Sequence, residues 1–154
     1  MNVIRADKPY TRKNVGEDHK NMYIFTDDTD RDSGKSLIPK SSWYSKKYGE
    51  GKQYPSMTTA LIRGLDNAYP ITTQHWYNRQ YKGDSGRWTD DDFEEFKKVI
   101  DDDFEEIYKN ANKYENIIFP MGGIFNSKIS ALNTIRTPKL YAYLMDKCMT
   151  LLKL

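Results

Sequence analysis

Asn116 to Phe119 reads Asn-Ile-Ile-Phe, and Pro-Met-Gly-Gly follows at once. An apolar run this short suits a strand that is buried on both faces, as in a parallel sheet. Such a strand demands layers, because apolar cover is needed above it and below it. Pro120 ends the pairing, and Gly122-Gly123 frees the backbone where the strand emerges. Small polar groups follow at Asn126, Ser127 and Ser130. In an open α/β sheet, ligands bind where loops leave the carboxyl ends of strands. A glycine-rich turn at that end lets backbone N–H groups approach an anion.

Two further runs share this character. Met22 to Thr26 is strand-like and runs straight into Asp27-Asp28. Carboxylates at a strand exit are costly to bury without hydrogen bonds, so this loop is expected to be solvated or ligand-facing. Ala68 to Thr73 is the next strand, and Pro70 within it predicts an edge position or a bulge. Helical signals separate the runs. Ser56 to Arg63 reads as a short helix with Ser56 as N-cap and Gly64 as its stop. From Thr89 onward, Phe93, Phe96, Ile100, Phe104 and Ile107 recur at spacings of three and four, giving one apolar face and a solvated acidic back. Thr137-Pro138 reads as an N-cap followed by the first helical position, opening a last helix with Tyr141, Leu144, Cys148 and Leu151 inward. Strand and helix alternate three times. The order predicts an α/β fold, a small and mostly parallel sheet flanked by helices.

A length of 154 residues fits a single domain spanning 1–154, with residues 1–20 as an N-terminal arm or edge strand. The chain is 38% hydrophobic and 30% charged, and no apolar run approaches the roughly 20 residues that cross a bilayer. Met-Asn-Val-Ile-Arg-Ala-Asp shows no basic segment leading into an apolar core, so a secretory leader is not expected. Cys148, the one cysteine, excludes an internal disulfide, fits a reducing cytoplasm and falls among apolar helix positions, as a small core residue would. The net charge of +2 hides an asymmetry: Asp90 to Lys109 holds ten acidic residues against three lysines, leaving the remainder basic.

Several motifs fail on spacing. The aspartates of residues 27–32 lack the glycine at the sixth position and the closing Glu at the twelfth that a calcium loop needs. Gly34-Lys35-Ser36 imitates the end of a phosphate-binding loop, but Thr29 stands where the first glycine belongs and Leu37-Ile38-Pro39 is no helix start. No metal or cofactor is expected from the residues. Two stretches interleave cations with aromatics. Residues 39–55 carry Lys40, Trp43, Tyr44, Lys46, Lys47, Tyr48, Lys52 and Tyr54, and residues 75–88 carry His75, Trp76, Tyr77, Arg79, Tyr81, Lys82, Arg87 and Trp88. Both read as long loops, and such residues either cover a small sheet or form a contact surface.

Four blocks occur in order: Tyr23 to Asp28; Ile62-Arg63-Gly64 with Asn67 to Thr73; Ile118 to Ile124; and Thr137 to Leu144. Together they resemble an uncharacterised family of small proteins from T4-like tailed phages, over about residues 20–150. They are also similar to a wider set of phage domains resembling macrodomain-like α/β folds, which bind ADP-ribose and related nucleotides. That resemblance implies a macrodomain-like three-layer architecture and one pocket made by three loops. Asp27 and Asp28 would face a sugar or base, Thr72 and Thr73 would line the middle, and Gly122, Gly123, Asn126 and Ser127 would hold phosphate. The departures are Thr26 for a glycine, Asp28 for an asparagine and Gln74 for a lysine, which remove a cation and add a carboxylate. The implied role is a phage accessory protein in the cytoplasm of an infected host, binding a nucleotide-type small molecule without a cofactor. The alternative is a non-enzymatic protein that binds a host or phage protein through loops 40–54 and 75–88. Were there hydrolysis, Asp27 or Asp28 would orient water. Binding to single-stranded nucleic acid ranks last, since the net charge is near neutral and no such motif is present.

Overall fold

The structure is a computed structural model that describes residues 1–29, 31, 34, 36–49, 51–56, 58–74, 88–122, 124 and 130–154. Four parallel strands form its centre: β1 (Asn2–Arg5), β2 (Asn21–Asp28), β5 (Ala68–Gln74) and β6 (Asn116–Phe119). Their spatial order is β1-β6-β2-β5, so β6 and β2 are central and both faces of each are covered. A second, two-stranded antiparallel ribbon pairs β3 (Ser36–Leu37) with β4 (Gln53–Tyr54). The arrangement is an α/β fold with a mostly parallel sheet and helices around it.

Alternation along the strands feeds two apolar layers. Met22, Ile24, Ile71, Ile117 and Phe119 pack against α3 (Phe93–Asn110) and α4 (Pro138–Leu151). Phe25, Ala68 and Ile118 join Val15 of α1 (Arg12–Glu17), Tyr44 of α2 (Trp43–Tyr48) and Ile62 on the opposite side. The apolar run at 116–119 is thus a buried central strand. Pro70 lies where its missing N–H costs little, because β5 is at the sheet margin. The β2–β5 register also shifts between Asp27 and Asp28, so that Asp27 faces Thr72 while Asp28 faces Gln74. That irregularity leaves Thr73 as the extra residue of the bulge.

Several local expectations are corrected. The expected 56–63 helix is a 3-10 turn, Thr59–Ile62, capped by the Thr58 hydroxyl, which accepts from Ala60 N–H at 3.2 Å. Gly64 does stop it, at φ +92, where an added Cβ would lie 2.5 Å from Ile38 Cγ2. Residues 39–55 are not one loop, since Ser42 caps α2 by accepting from Ser45 N–H at 3.1 Å. Trp88 is no surface aromatic. It is fully buried and stacks on Phe96 with ring centroids 4.2 Å apart. Residues 75–87 of that stretch, His75 included, lie outside the described residues. Thr137 does not cap α4 with its side chain, because its hydroxyl is engaged with Asn133. Asp90 caps α4 instead, accepting from Lys139 N–H at 2.8 Å and Leu140 N–H at 3.0 Å. Leu140 rather than Tyr141 completes the inward stripe with Leu144, Cys148 and Leu151. Among the described residues, no helix is long and apolar enough to cross a membrane.

Candidate functional site

At the carboxyl ends of β2 and β5 lies a cavity of about 210 Å³. Thr26, Asp27 and Asp28 enter it from β2, Thr73 and Gln74 from β5, and Thr58 and Arg63 from the 3-10 segment. Ile124, Leu132 and Leu144 supply apolar wall, and Ser130 a hydroxyl. β2 brings three consecutive polar residues here because its apolar run ends at Phe25.

Asp27 is held from several directions. Tyr44 O–H donates to Asp27 Oδ2 at 2.5 Å, and Arg63 donates through Nη2 to Asp27 Oδ1. Arg31 Nε approaches Oδ2 at 3.9 Å, an ionic contact rather than a hydrogen bond. Both partners of the Asp27–Arg63 pair are essentially inaccessible to water. Burial works against the Arg63 cation, but Asp27, with Tyr44, outweighs it and raises its pKa. The Tyr44 phenol is pushed well above its ordinary value by burial first and by the Asp27 charge second. A carboxylate so engaged is a structural tie, and its hydrogen bonds answer the desolvation that its position imposes.

The network continues around the margin of the sheet. Arg31 Nη2 donates to Thr72 Oγ1 at 3.1 Å and stacks 4.2 Å over the Tyr48 ring. Asp103 of α3 accepts from Thr72 N–H at 2.7 Å and from the Tyr48 hydroxyl. Thr72 therefore serves the tie and does not line the cavity, whereas Thr73 does. Asp103 corrects the reading of α3 as wholly solvated on its acidic side, for it has no exposure at all. Its position was visible in the spacing: it lies three residues after Ile100 and four before Ile107, on the apolar stripe. Burial raises the Asp103 pKa to about 6, against the Tyr48 and Thr72 hydrogen bonds and the Arg31 charge, which pull it down.

The residues expected to form one pocket divide into three groups. Asp27, Asp28 and Thr73 meet in the cavity, and Thr72 stands behind it. Gly122 borders a separate hollow of about 350 Å³ with Pro9, Tyr10, Thr59 and Met121, and among the described residues only Thr58 lines both. Among the described residues, a Cβ on Gly122 would meet nothing within 4 Å, so none of them demands glycine there by close approach. Gly123, Asn126 and Ser127 lie outside the described residues. Arg63 was missed because it reads as the last residue of a short helix. The signal that pointed to it was indirect, namely the need of a carboxylate at a strand exit for a partner. Among the described residues, no group of three or more His, Cys, Asp or Glu can hold a metal ion.

Residues 5–147 match a family of unknown function, DUF7831. The chain belongs to that family. No curated protein and no solved structure gives a match. Membership in DUF7831 covers both central strands and all the described residues that line the cavity.

Proposed function

We propose that the protein binds a nucleotide-type small molecule in the cavity at the carboxyl ends of β2 and β5, without transforming it. The observation that carries this reading is the meeting of Asp28 and Thr73 with an apolar wall at the exits of two adjacent parallel strands, the region where α/β sheets hold ligands. At about 210 Å³ the cavity is below the range of about 300–1,000 Å³ usual for whole drug-sized ligands. It suits the base or sugar end of a nucleotide, and the charged remainder of an ADP-ribose-like ligand would extend outside. Asp27 lends no support to a water-orienting role, because its oxygens are committed to Tyr44 and Arg63. The likeness of its sequence blocks to T4-like phage proteins supports a role as an accessory protein in an infected cell. The likeness to macrodomain-like domains supports a nucleotide signal as the ligand.

Thermal melting with adenosine, uridine, ADP-ribose and cyclic dinucleotides tests this. A ligand at a hundred times its Kd stabilises the folded state by about 2.7 kcal/mol, a rise of several degrees for a chain of this size. Thr73→Val should cancel the rise. No shift with any of these compounds would sink the proposal. The protein-binding alternative draws less support, because Tyr44 of the 40–54 stretch is fully buried and Trp43 stacks on Tyr69 with centroids 4.7 Å apart.

A further inference from the structure

The layer that carries α1 leaves part of the sheet bare. Ile4 of β1, Ile118 of β6 and Tyr23 of β2 are register partners, so they stand in one row across three adjacent strands and face the same side. At the usual spacing of strands the row is about 10 Å long. α1 has six residues and buries Val15 alone, which is too little to roof the row. Ile4 is 45% exposed as a result. Over the row lies a hollow of about 270 Å³, walled by Pro9, Tyr10 and Val15. Among the described residues, it shares no lining with the cavity at the ends of β2 and β5.

The floor of this hollow offers carbon to an occupant. Tyr10 and Tyr23 meet edge to face, with ring centroids 5.5 Å apart. Both hydroxyls are turned to protein partners, since Tyr10 O–H donates to the Ile24 carbonyl and Tyr23 O–H to Asp18 Oδ2, each at 2.7 Å. The row therefore presents ring carbon and methyl groups, whose contact with water is unfavourable until something apolar covers them. The rim has the opposite character. Arg5, Asp7, Lys8 and Asn14 line it and are all exposed, so the polar end of an occupant stays hydrated. Arg5 is tethered there, donating through Nε to the Met121 carbonyl at 2.5 Å. Two cations beside one carboxylate draw negative charge to the rim, modestly at so solvated a position.

We infer that this hollow is a second binding site, one that takes a small carboxylate with an apolar body, either a medium-length alkyl chain or a single ring. The hydrocarbon lies along Ile4, Ile118 and Tyr23, and the carboxylate stays at the rim beside Lys8. A volume just under the range of about 300–1,000 Å³ for drug-sized ligands limits the occupant to this size. Apolar burial supplies most of the affinity, and the rim sets the preferred sign of charge. The inference stands apart from nucleotide binding at β2 and β5.

Proton–nitrogen correlation spectra of the full chain, titrated with acetate, butyrate, hexanoate, phenylacetate and hexylamine, test it. Hexanoate and phenylacetate should shift the amides of Ile4, Ala6, Val15 and Tyr23. From butyrate to hexanoate the affinity should climb about fourfold for each added CH₂, the worth of one buried methylene. Hexylamine, with the same tail and the opposite charge, should bind more weakly than hexanoate. Lys8→Glu turns the rim from one excess positive charge to one excess negative, so it should reverse that preference at an unchanged ligand-free melting temperature. Ile4→Asp, at an exposed position, should abolish the shifts. No movement of these amides with any compound would overturn the site. So would an affinity indifferent to chain length, or a preference for hexanoate untouched by Lys8→Glu. Shifts that fall instead at Asp28 and Thr73 would move the acid to the other cavity and overturn it as well. Thr73→Val should leave all these titrations as they are, so either site can fail without the other.

Discussion

Asp103 and Arg63 each hold a charge where no water reaches, and their consequences differ in sign. The Asp103 pKa rises from 3.8 when unfolded to about 6 when folded, so between these values the folded state binds more protons. Its contribution to stability is therefore fully present below pH 3.8 and is lost as pH climbs through 6. At about 1.4 kcal/mol for each pH unit between the two values, the loss is roughly 3 kcal/mol. Asp103→Asn keeps an oxygen for Thr72 N–H and removes the charge. Its melting temperature relative to the wild type should rise between pH 4.5 and 7.5, and a flat difference would refute the argument. Arg63→Met should instead cost about 3–5 kcal/mol at neutral pH, because it strands the Asp27 carboxylate in the interior. Adding Asp27→Asn should restore a large part of that loss in urea melts, and simple additivity of the two changes would be the contrary result.

At the level of elements, the strands of the main sheet were legible and the helix N-caps were not. Apolar runs at 22–25, 68–71 and 116–119 carry their own signature, since a strand buried on both faces has no polar side to disguise it. α2 was hidden because its inward residues, Tyr44 and Tyr48, alternate with lysines and pass for a solvated surface. Those phenols are not in water; they reach Asp27 and Asp103, residues 17 and 55 positions away, and no local pattern announces such partners. The cap of α4 is equally remote, since Asp90 lies 49 residues from Lys139. Removing it by Asp90→Ala frees two N–H groups of the first turn and withdraws a negative charge from the positive end of the helix dipole. The expected cost is about 1–2 kcal/mol, read as a lower urea midpoint at unchanged slope. Of the polar residues around the cavity, Asp27 and Asp28 stood out at a strand exit and Thr73 only through the resemblance, whereas Arg63 and the phenols needed three-dimensional neighbours.

Across the whole molecule, the sheet has unlike margins. β5 is closed off by Asp103, Tyr48 and Arg31, while β1 is a four-residue strand whose Asn2, Ile4 and Arg5 are exposed. Amide exchange should reflect this order, with β2 and β6 slowest and β1 fastest among the strands. Equal protection of β1 and β2 would show that the layers open as one unit rather than from the β1 side. The pairing of Asp27 with Arg63 has a reach beyond the cavity they border, because the same two side chains fasten the floor of the hollow to the helical frame. Evolution then has little room to retune recognition at these positions. Any drift at this pair that alters what the hollow accepts also loosens the frame, so new preferences arise more readily at wall residues such as Ser130 and Thr73, which stand outside the Asp27–Arg63 pair.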